Sequence, residues 1–233
     1  MNVLIASGPT VPDPTTFADA LEILRRYQIQ PTPAIQALLE AAEEETPKPG
    51  EDIFSRNQVR LVATPQLMLE AAAKEAEKFG ITPIILSDRI EGEAREVAKV
   101  HAAIAKQIKH RDQPIKSPAL ILSGGETTVT VRGNGKGGRN AEFILSLLEA
   151  LQGEEGISAI AVDTDGIDGT EDNAGAWIDQ SSLLKAKQLN LKPNDFLANN
   201  DAYSFFQQLD QLVLTGPTMT NVNDFRAIFV DQR

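Results

Sequence analysis

Three segments of the sequence combine residue types that bind or transform polar ligands. The first runs Ser123-Gly124-Gly125-Glu126-Thr127-Thr128-Val129-Thr130-Val131-Arg132-Gly133-Asn134-Gly135-Lys136-Gly137-Gly138-Arg139-Asn140. Residues 127–141 carry three cations and no acid, inside a chain of formal net charge −11. Glycines let a backbone approach a ligand closely, and a helix that follows them offers unpaired N–H groups and a positive dipole end to an anion. Gly133, Gly135, Lys136, Gly137 and Gly138 are therefore candidate binding residues for an anionic cofactor, with Arg139 beside them. The alternative is a flexible hairpin tip with solvated cations; the entropy lost in ordering so many glycines favours the binding reading. Gly133-x-Gly135-x-x-Gly138 also matches the dinucleotide fingerprint, although the alternating Thr127–Val131 stretch before it is a poor first strand for such a unit. The P-loop pattern fails, because Gly follows Lys136.

The second segment, Asp163 to Asn173, places five acids within ten residues after an apolar strand, where open α/β sheets put their ligand sites. A calcium loop is excluded, since its sixth position holds Asp168 rather than Gly and its twelfth holds Ala174 rather than Glu. Magnesium with nucleotide phosphates, or a carboxylate acting as general base, suits the pattern better, so Asp163, Asp165 and Asp168 are candidate metal ligands. A solvated Asp-Gly turn has the same composition. The third comprises Ala198-Asn199-Asn200-Asp201 and Thr215 to Asp224. Amides such as Asn200, Asn221 and Asn223 can orient a polyhydroxy acid without adding charge, and they serve equally as cap and turn residues. Ser7-Gly8-Pro9-Thr10 echoes Thr215-Gly216-Pro217-Thr218, so Ser7, Gly8 and Thr10 are further candidates for lining an anionic pocket, a chance echo being the alternative.

Composition limits what these segments can do. The 233 residues hold 22 Lys plus Arg against 33 Asp plus Glu, no Cys and two His. An acidic chain of this kind is a poor partner for nucleic acid, whose binding draws on neutralised phosphates. Thiolate nucleophiles, disulfides and the usual zinc clusters are excluded. His101, in an Ala-rich helical run, and His110, among exposed cations, read as structural or solvated. No apolar run approaches the roughly 18 residues of a membrane span, and the expectation is a cytoplasmic protein without membrane association.

The elements that must position these residues read as α/β, with a mixed sheet flanked by helices. Asn2–Ala6 reads as the end of a strand, followed by Pro-rich loop chemistry, a helix over Phe17–Tyr27 capped by Thr15 or Thr16, and a second over Pro33–Ala42. Glu43–Asp52 is charged and Pro-rich, like a linker, and the chain divides into residues 1–50, a linker at 51–56 and an α/β domain at 57–233. From there the pattern predicts a strand at Val59–Ala63, a helix over Pro65–Phe79 and a strand at Thr82–Ser87 as a βαβ unit, then a helix over Glu93–Lys109. Strands follow at Ala119–Ser123, Thr127–Val131, Ile157–Val162, Leu212–Thr215 and Ala227–Val230. Further helices follow at Arg139–Leu151, Ser181–Gln188 and Ala202–Leu209.

Together, Ser123–Val129, Gly137–Asn140, Asp163–Gly169, Ala198–Asp201 and Thr218–Asp224, with Ala6–Asp13 and Glu91–Val97, resemble the glycerate 2-kinase family, whose C-terminal part is known as the MOFRL domain. The resemblance covers nearly the whole chain and sets the MOFRL-like region at about 118–233. It implies an enzyme that phosphorylates D-glycerate to 2-phosphoglycerate with ATP and Mg2+. It also implies a cleft between an N-terminal Rossmann-like domain and the C-terminal domain, with residues 1–50 as the C-terminal remnant of the former. Glu126, Arg139 and Asp165 then carry the chemistry and Asn221 faces the substrate: Arg139 clamps the substrate carboxylate or the transferring phosphoryl group bidentately, Asp165 accepts the hydroxyl proton or organises Mg2+, and Glu126 orients Arg139. Some relatives are called hydroxypyruvate reductases, which keeps NAD(P)-dependent reduction as an alternative. The family's Gly-Ala-Gly-Lys-like segment and Gly-Gly-Gly-Ser-like turn do not occur among these residues. A third reading is accordingly a non-catalytic half that pairs with a separately encoded N-terminal half; homo-oligomerisation is a separate expectation.

Overall fold

The computed structural model describes residues 11–43 and 45–232. The chain divides into two compact units, residues 1–62 and 63–233. The Asn2–Ala6 strand reading and the candidates Ser7, Gly8 and Thr10 lie outside the described residues.

In the first unit, α1 (Phe17–Arg26) and α2 (Pro33–Ala41) pack against each other. The cap of α1 is Thr16, whose hydroxyl accepts from Asp19 N while the Asp19 carboxylate accepts from Thr16 N, a reciprocal capping box. Thr32 caps α2, with Pro33 in the first turn where its missing N–H costs nothing. Neither helix has a buried residue among its members.

The second unit begins with α3 (Pro65–Lys78), β1 (Thr82–Glu93), α4 (Ala94–Arg111) and β2 (Ala119–Thr128). It continues with α5 (Arg139–Leu151), β3 (Ile157–Asp163), β4 (Gly175–Ile178), α6 (Ser182–Gln188), α7 (Pro193–Ala198), α8 (Ala202–Leu209), β5 (Leu212–Val213) and β6 (Asp224–Val230). The strands form one sheet in the order β1-β2-β6-β3-β4-β5. Only β1 and β2 are parallel; each remaining neighbour pair is antiparallel. The mixed sheet flanked by helices expected from the sequence is therefore what forms, with β1-α4-β2 as its βαβ unit rather than the unit expected one element earlier. Val59–Ala63 is not a strand: these residues lie outside every helix and strand among the described residues, and Val62 is 86% exposed. Its β-branched residues express a strand preference only where a neighbouring strand supplies pairing and burial.

Two further departures bear on the site. Thr127–Val131 is not a separate strand, because β2 runs on through Ser123-Gly124-Gly125 to Thr128. Gly125 has φ +119, and a Cβ there would lie 2.2 Å from Ile90 N, where the β1–β2 register shifts. That glycine serves the approach of two strands, not a ligand. The last strand likewise starts at Asp224, three residues before the expected Ala227.

Helices α4 and α5 pack on each other and on the sheet. Every residue from Asn140 to Leu148 is buried, and each of Phe143, Ile144 and Leu147 contributes about 1.5–3 kcal/mol by leaving water. The helix that carries Arg139 at its first position is thus locked into the core.

Candidate functional site

The sheet topology makes three chain ends converge. β6 lies between β2 and β3 and runs antiparallel to both, so its first residue, Asp224, pairs with Gly125 near the end of β2 and with Asp163 at the end of β3. The N-terminus of α5 arrives at the same place. Arg139 donates from Nε to Asp224 Oδ1 at 2.7 Å and from Nη2 to Asp163 Oδ2 at 2.6 Å. Its Nη1 lies 3.6 Å from Glu126 Oε1, an ion-pair distance too long for a hydrogen bond.

Behind Arg139 the polar groups are buried. Asp224 and Arg226 are both fully buried, and Arg226 Nη2 donates to Asp224 Oδ2 and to Thr127 Oγ1. Asp224 also accepts from Asn140 Nδ2 at 2.8 Å and from Thr127 N at 3.2 Å. Burial pushes the Asp163 carboxyl up to about 6, against the Asp165 N–H and the Arg139 charge that favour its ionised form. Burial is the largest influence on Arg139 and lowers its pKa, but the Asp224 hydrogen bond and the charges of Asp224, Asp163 and Glu126 together raise it.

Arg139 opens on a cleft of about 710 Å3, lined also by Glu91, Glu126, Gly135, Gly137, Gly138 and Asn200. The candidates Glu126, Arg139, Asn200 and three of the loop glycines are thus brought together. Asp165 belongs to a second group: its carboxylate accepts from Ile167 N at 2.9 Å and from Asn221 Nδ2 at 3.2 Å, and its own N–H donates to Asp163 Oδ1. Asn223 stands in that group at φ +63, its carbonyl accepting from Thr164 N and Oγ1 and its N–H donating to Asn221 Oδ1.

Several expected roles need correction. Asp168 is not with Asp163 and Asp165 in a metal set. It is fully buried, its Oδ1 accepting from Asn140 N at 2.9 Å and its Oδ2 from Ala141 N at 2.8 Å, so the anion at the N-terminus of α5 is the protein's own carboxylate. Burial pushes its pKa up to about 6 against those two N–H bonds. Among the described residues no group of three or more His, Asp or Glu side chains is placed to hold a metal ion. Asp168→Asn turns an amide donor toward one of those N–H groups and is expected to cost about 1–2 kcal/mol, as loss of a helix cap does; urea denaturation measures it.

The glycine loop is also accounted for from within. Arg132 N and Gly133 N donate to Asn200 Oδ1, Asn134 N to Asn199 Oδ1, Gly135 N to Asn199 O and Lys136 N to Asp201 Oδ1. These N–H groups are occupied by residues 199–201 rather than turned to a phosphate. A Cβ on Gly133 or Gly135 would lie 2.3 or 2.4 Å from atoms of Asn199 and Asp201 respectively, and one on Gly138 2.4 Å from Asp168. Gly133→Ala is expected to cost about 1–3 kcal/mol through this overlap, again read by urea denaturation. Lys136 Nζ reaches Glu171 at 3.5 Å. Asn200 lines the cleft, but its amide is engaged within the chain: its Oδ1 holds the loop and its Nδ2 donates to Glu142 Oε2 at 3.0 Å. Glu126 contributes the longest of the three carboxylate contacts to Arg139, at 3.6 Å, against 2.6 and 2.7 Å for the buried Asp163 and Asp224.

Asp224, Arg226, Asn140 and the part-buried pair Arg95–Glu142, with Arg95 Nη2 at 2.6 Å from Glu142 Oε1, were not among the candidates. A signal for the first two exists: Asp224, Arg226, Ile228 and Val230 share one strand face, and charges on a face otherwise apolar mark a buried pair. His101 is buried, with Nδ1 2.9 Å from Val97 O and Nε2 2.9 Å from Ser123 Oγ, and burial lowers its pKa to about 4, which fits the structural role read for it.

Comparison with known proteins adds a family and a fold. The MOFRL family model matches residues 119–224, and a domain of unknown function (DUF4147) matches residues 2–40. An Agrobacterium vitis protein provisionally named a hydroxypyruvate reductase is 50% identical over 97% of this chain and 51% of its own length. A Thermotoga maritima protein named D-glycerate 2-kinase is 39% identical over 95% of the chain and 51% of its own length. The crystal structure of a glycerate kinase from Thermotoga maritima superposes with a TM-score of 0.83 at 37% identity, covering 97% of this chain and 53% of that one. The chain spans about half the length of these relatives. Among the described residues no helix is long and apolar enough to cross a membrane.

Proposed function

This chain belongs to the glycerate 2-kinase family, and from that premise we propose that it acts in the ATP-dependent phosphorylation of D-glycerate to 2-phosphoglycerate. The observation that carries the reading is Arg139, held at the mouth of a 710 Å3 cleft with one guanidinium nitrogen turned away from its buried partners. Phosphoryl transfer asks a protein for positioning and charge stabilisation more than for covalent chemistry. Arg139 supplies the positive charge for the substrate carboxylate or the transferring group. Asp165, fixed by Ile167 N and Asn221, is the acceptor for the proton of the attacking hydroxyl. With Nε and Nη2 each donating to a buried carboxylate, Arg139 meets its ligand from the other edge of its guanidinium, chiefly through Nη1.

ATP enters as the phosphoryl donor, and Mg2+ enters with it as part of that substrate. A resident magnesium site built from Asp163, Asp165 and Asp168 does not fit these residues, because Asp163 is bonded to Arg139 and Asp168 caps α5. We set aside the reductase reading, which the name of the Agrobacterium vitis relative raises. It needs the Gly133–Gly138 amides for a dinucleotide, and most of them are bonded to residues 199–201.

The test measures ADP release and identifies the phosphorylated product with D-glycerate and MgATP, beside NADH or NADPH oxidation with hydroxypyruvate. Glycerate-dependent ADP release with 2-phosphoglycerate as product supports the kinase. Nicotinamide oxidation without ADP release overturns it.

A further inference from the structure

We propose that Asp224 is the positioning residue of this site, holding Arg139 by its Nε edge so that Nη1 is the donor presented to a single carboxylate, that of the acceptor substrate. This rests on the reading of Arg139 as a ligand-binding group. Asp224 is fully buried, and its two oxygens serve different directions. Oδ1 accepts from Arg139 Nε at 2.7 Å and from Asn140 Nδ2 at 2.8 Å; Oδ2 accepts from Thr127 N at 3.2 Å and from the buried Arg226. Its backbone is fixed from both sides, opposite Gly125 of β2 and Asp163 of β3.

The cross-strand pair Asp163 and Asp224 therefore grips one guanidinium by two nitrogens, Nη2 and Nε. Nη1 is left facing Glu126, whose oxygen is 3.6 Å away and whose side chain is 58% exposed. An exposed carboxylate at that distance is held weakly and gives way to a ligand carboxylate. Because the buried pair has already fixed its rotamer, Arg139 has little freedom left to lose on binding.

The charges around the cleft choose among anions. The four-residue cluster of Arg139, Arg226, Asp163 and Asp224 is neutral when all four are ionised, and Glu91 and Glu126 add negative charge to the lining. A polyphosphate would meet those acids with several charges of its own, whereas a monoanionic hydroxy acid replaces one carboxylate by another. The acceptor, not the nucleotide, is the ligand this donor suits.

The test uses Asp224→Asn and, because that variant leaves Arg226 buried without a counter-charge, the double variant Asp224→Asn/Arg226→Met. One readout is the exchange rate of the Arg139 Nε–H proton in 15N-labelled protein; the other is steady-state kinetics with D-glycerate and MgATP. The expected result in the folded variants is rapid exchange of that proton and a kcat/KM for D-glycerate lower by about 100-fold, with the KM for MgATP unchanged. A protected Arg139 proton together with unaltered glycerate kinetics overturns the proposal. Failure of the underlying reading looks different: Arg139→Lys then turns over glycerate as the wild type does, or no glycerate-dependent turnover exists, and the exchange readout still decides what Asp224 holds.

Discussion

Arg139→Met is expected to destabilise the folded chain by about 3 kcal/mol at pH 7.5, with the loss shrinking as the pH falls through 6. The substitution preserves much of the side-chain volume, so the effect is electrostatic rather than a cavity. Without the guanidinium, the carboxylates of Asp163 and Asp224 face each other across neighbouring strands, with Arg226, paired to Asp224, as the remaining cation among the ion pairs of the described residues there. Breaking a buried pair by removing one partner costs about 3–5 kcal/mol, and the lower end applies because Arg139 keeps 25% of its side chain in solvent. The sign of the pH effect follows from Asp163. Its folded pKa of about 6 already lies above the ordinary carboxylate value, because of burial, and Arg139 is among the influences holding it down. In the variant that pKa rises further, so the folded state takes up a proton that the unfolded chain does not hold, and stability is gained as the pH drops. Urea denaturation of both proteins at pH 7.5 and pH 5 gives the comparison. An equal difference at the two pH values contradicts the account.

Asp224→Asn is expected to cost about 3–5 kcal/mol, the larger of the two stability effects. Arg226 is fully buried, and burial already lowers its pKa against the attraction of Asp224. An amide cannot balance that charge, and its NH2 must face either Arg226 and Thr127 N or Arg139 and Asn140, all of them donors toward Asp224. Replacing both members of the pair removes the uncompensated charge, so Asp224→Asn/Arg226→Met is expected to recover most of the loss. A double variant as unstable as the single one would mean that the hydrogen bonds to Arg139, Asn140 and Thr127, not the ion pair, carry the stabilisation.

Local chemistry was legible wherever it decided the outcome locally. Thr16, Thr32 and Pro33 start helices as their types dictate, and the apolar periodicity of Arg139–Leu151 and Ile157–Val162 matches α5 and β3. What could not be read was whether a polar group faces a ligand or another part of the chain. The loop glycines do permit close approach, but the thing that approaches is the backbone of residues 199–201 and the side chain of Asp168. The N-terminus of α5 does attract an anion, and that anion is Asp168, twenty-nine residues along the chain from Arg139. Such partners are brought together by sheet order, which nothing in the local pattern reports. Asp224 closes the third segment and Arg226 falls outside it, because the apolar run sets the expected strand at Ala227, whereas both residues belong to the start of a central strand.

The central claim is that Arg139 Nη1 receives the ligand while Nε and Nη2 are held by Asp224 and Asp163. The most direct measurement is kcat/KM for D-glycerate in Arg139→Lys, with MgATP as donor. Lysine keeps a positive charge between the two carboxylates but has no planar second edge to offer. The account predicts a folded protein whose kcat/KM is lower by about 100-fold or more. A folded Arg139→Lys variant that turns over glycerate like the wild type would contradict it.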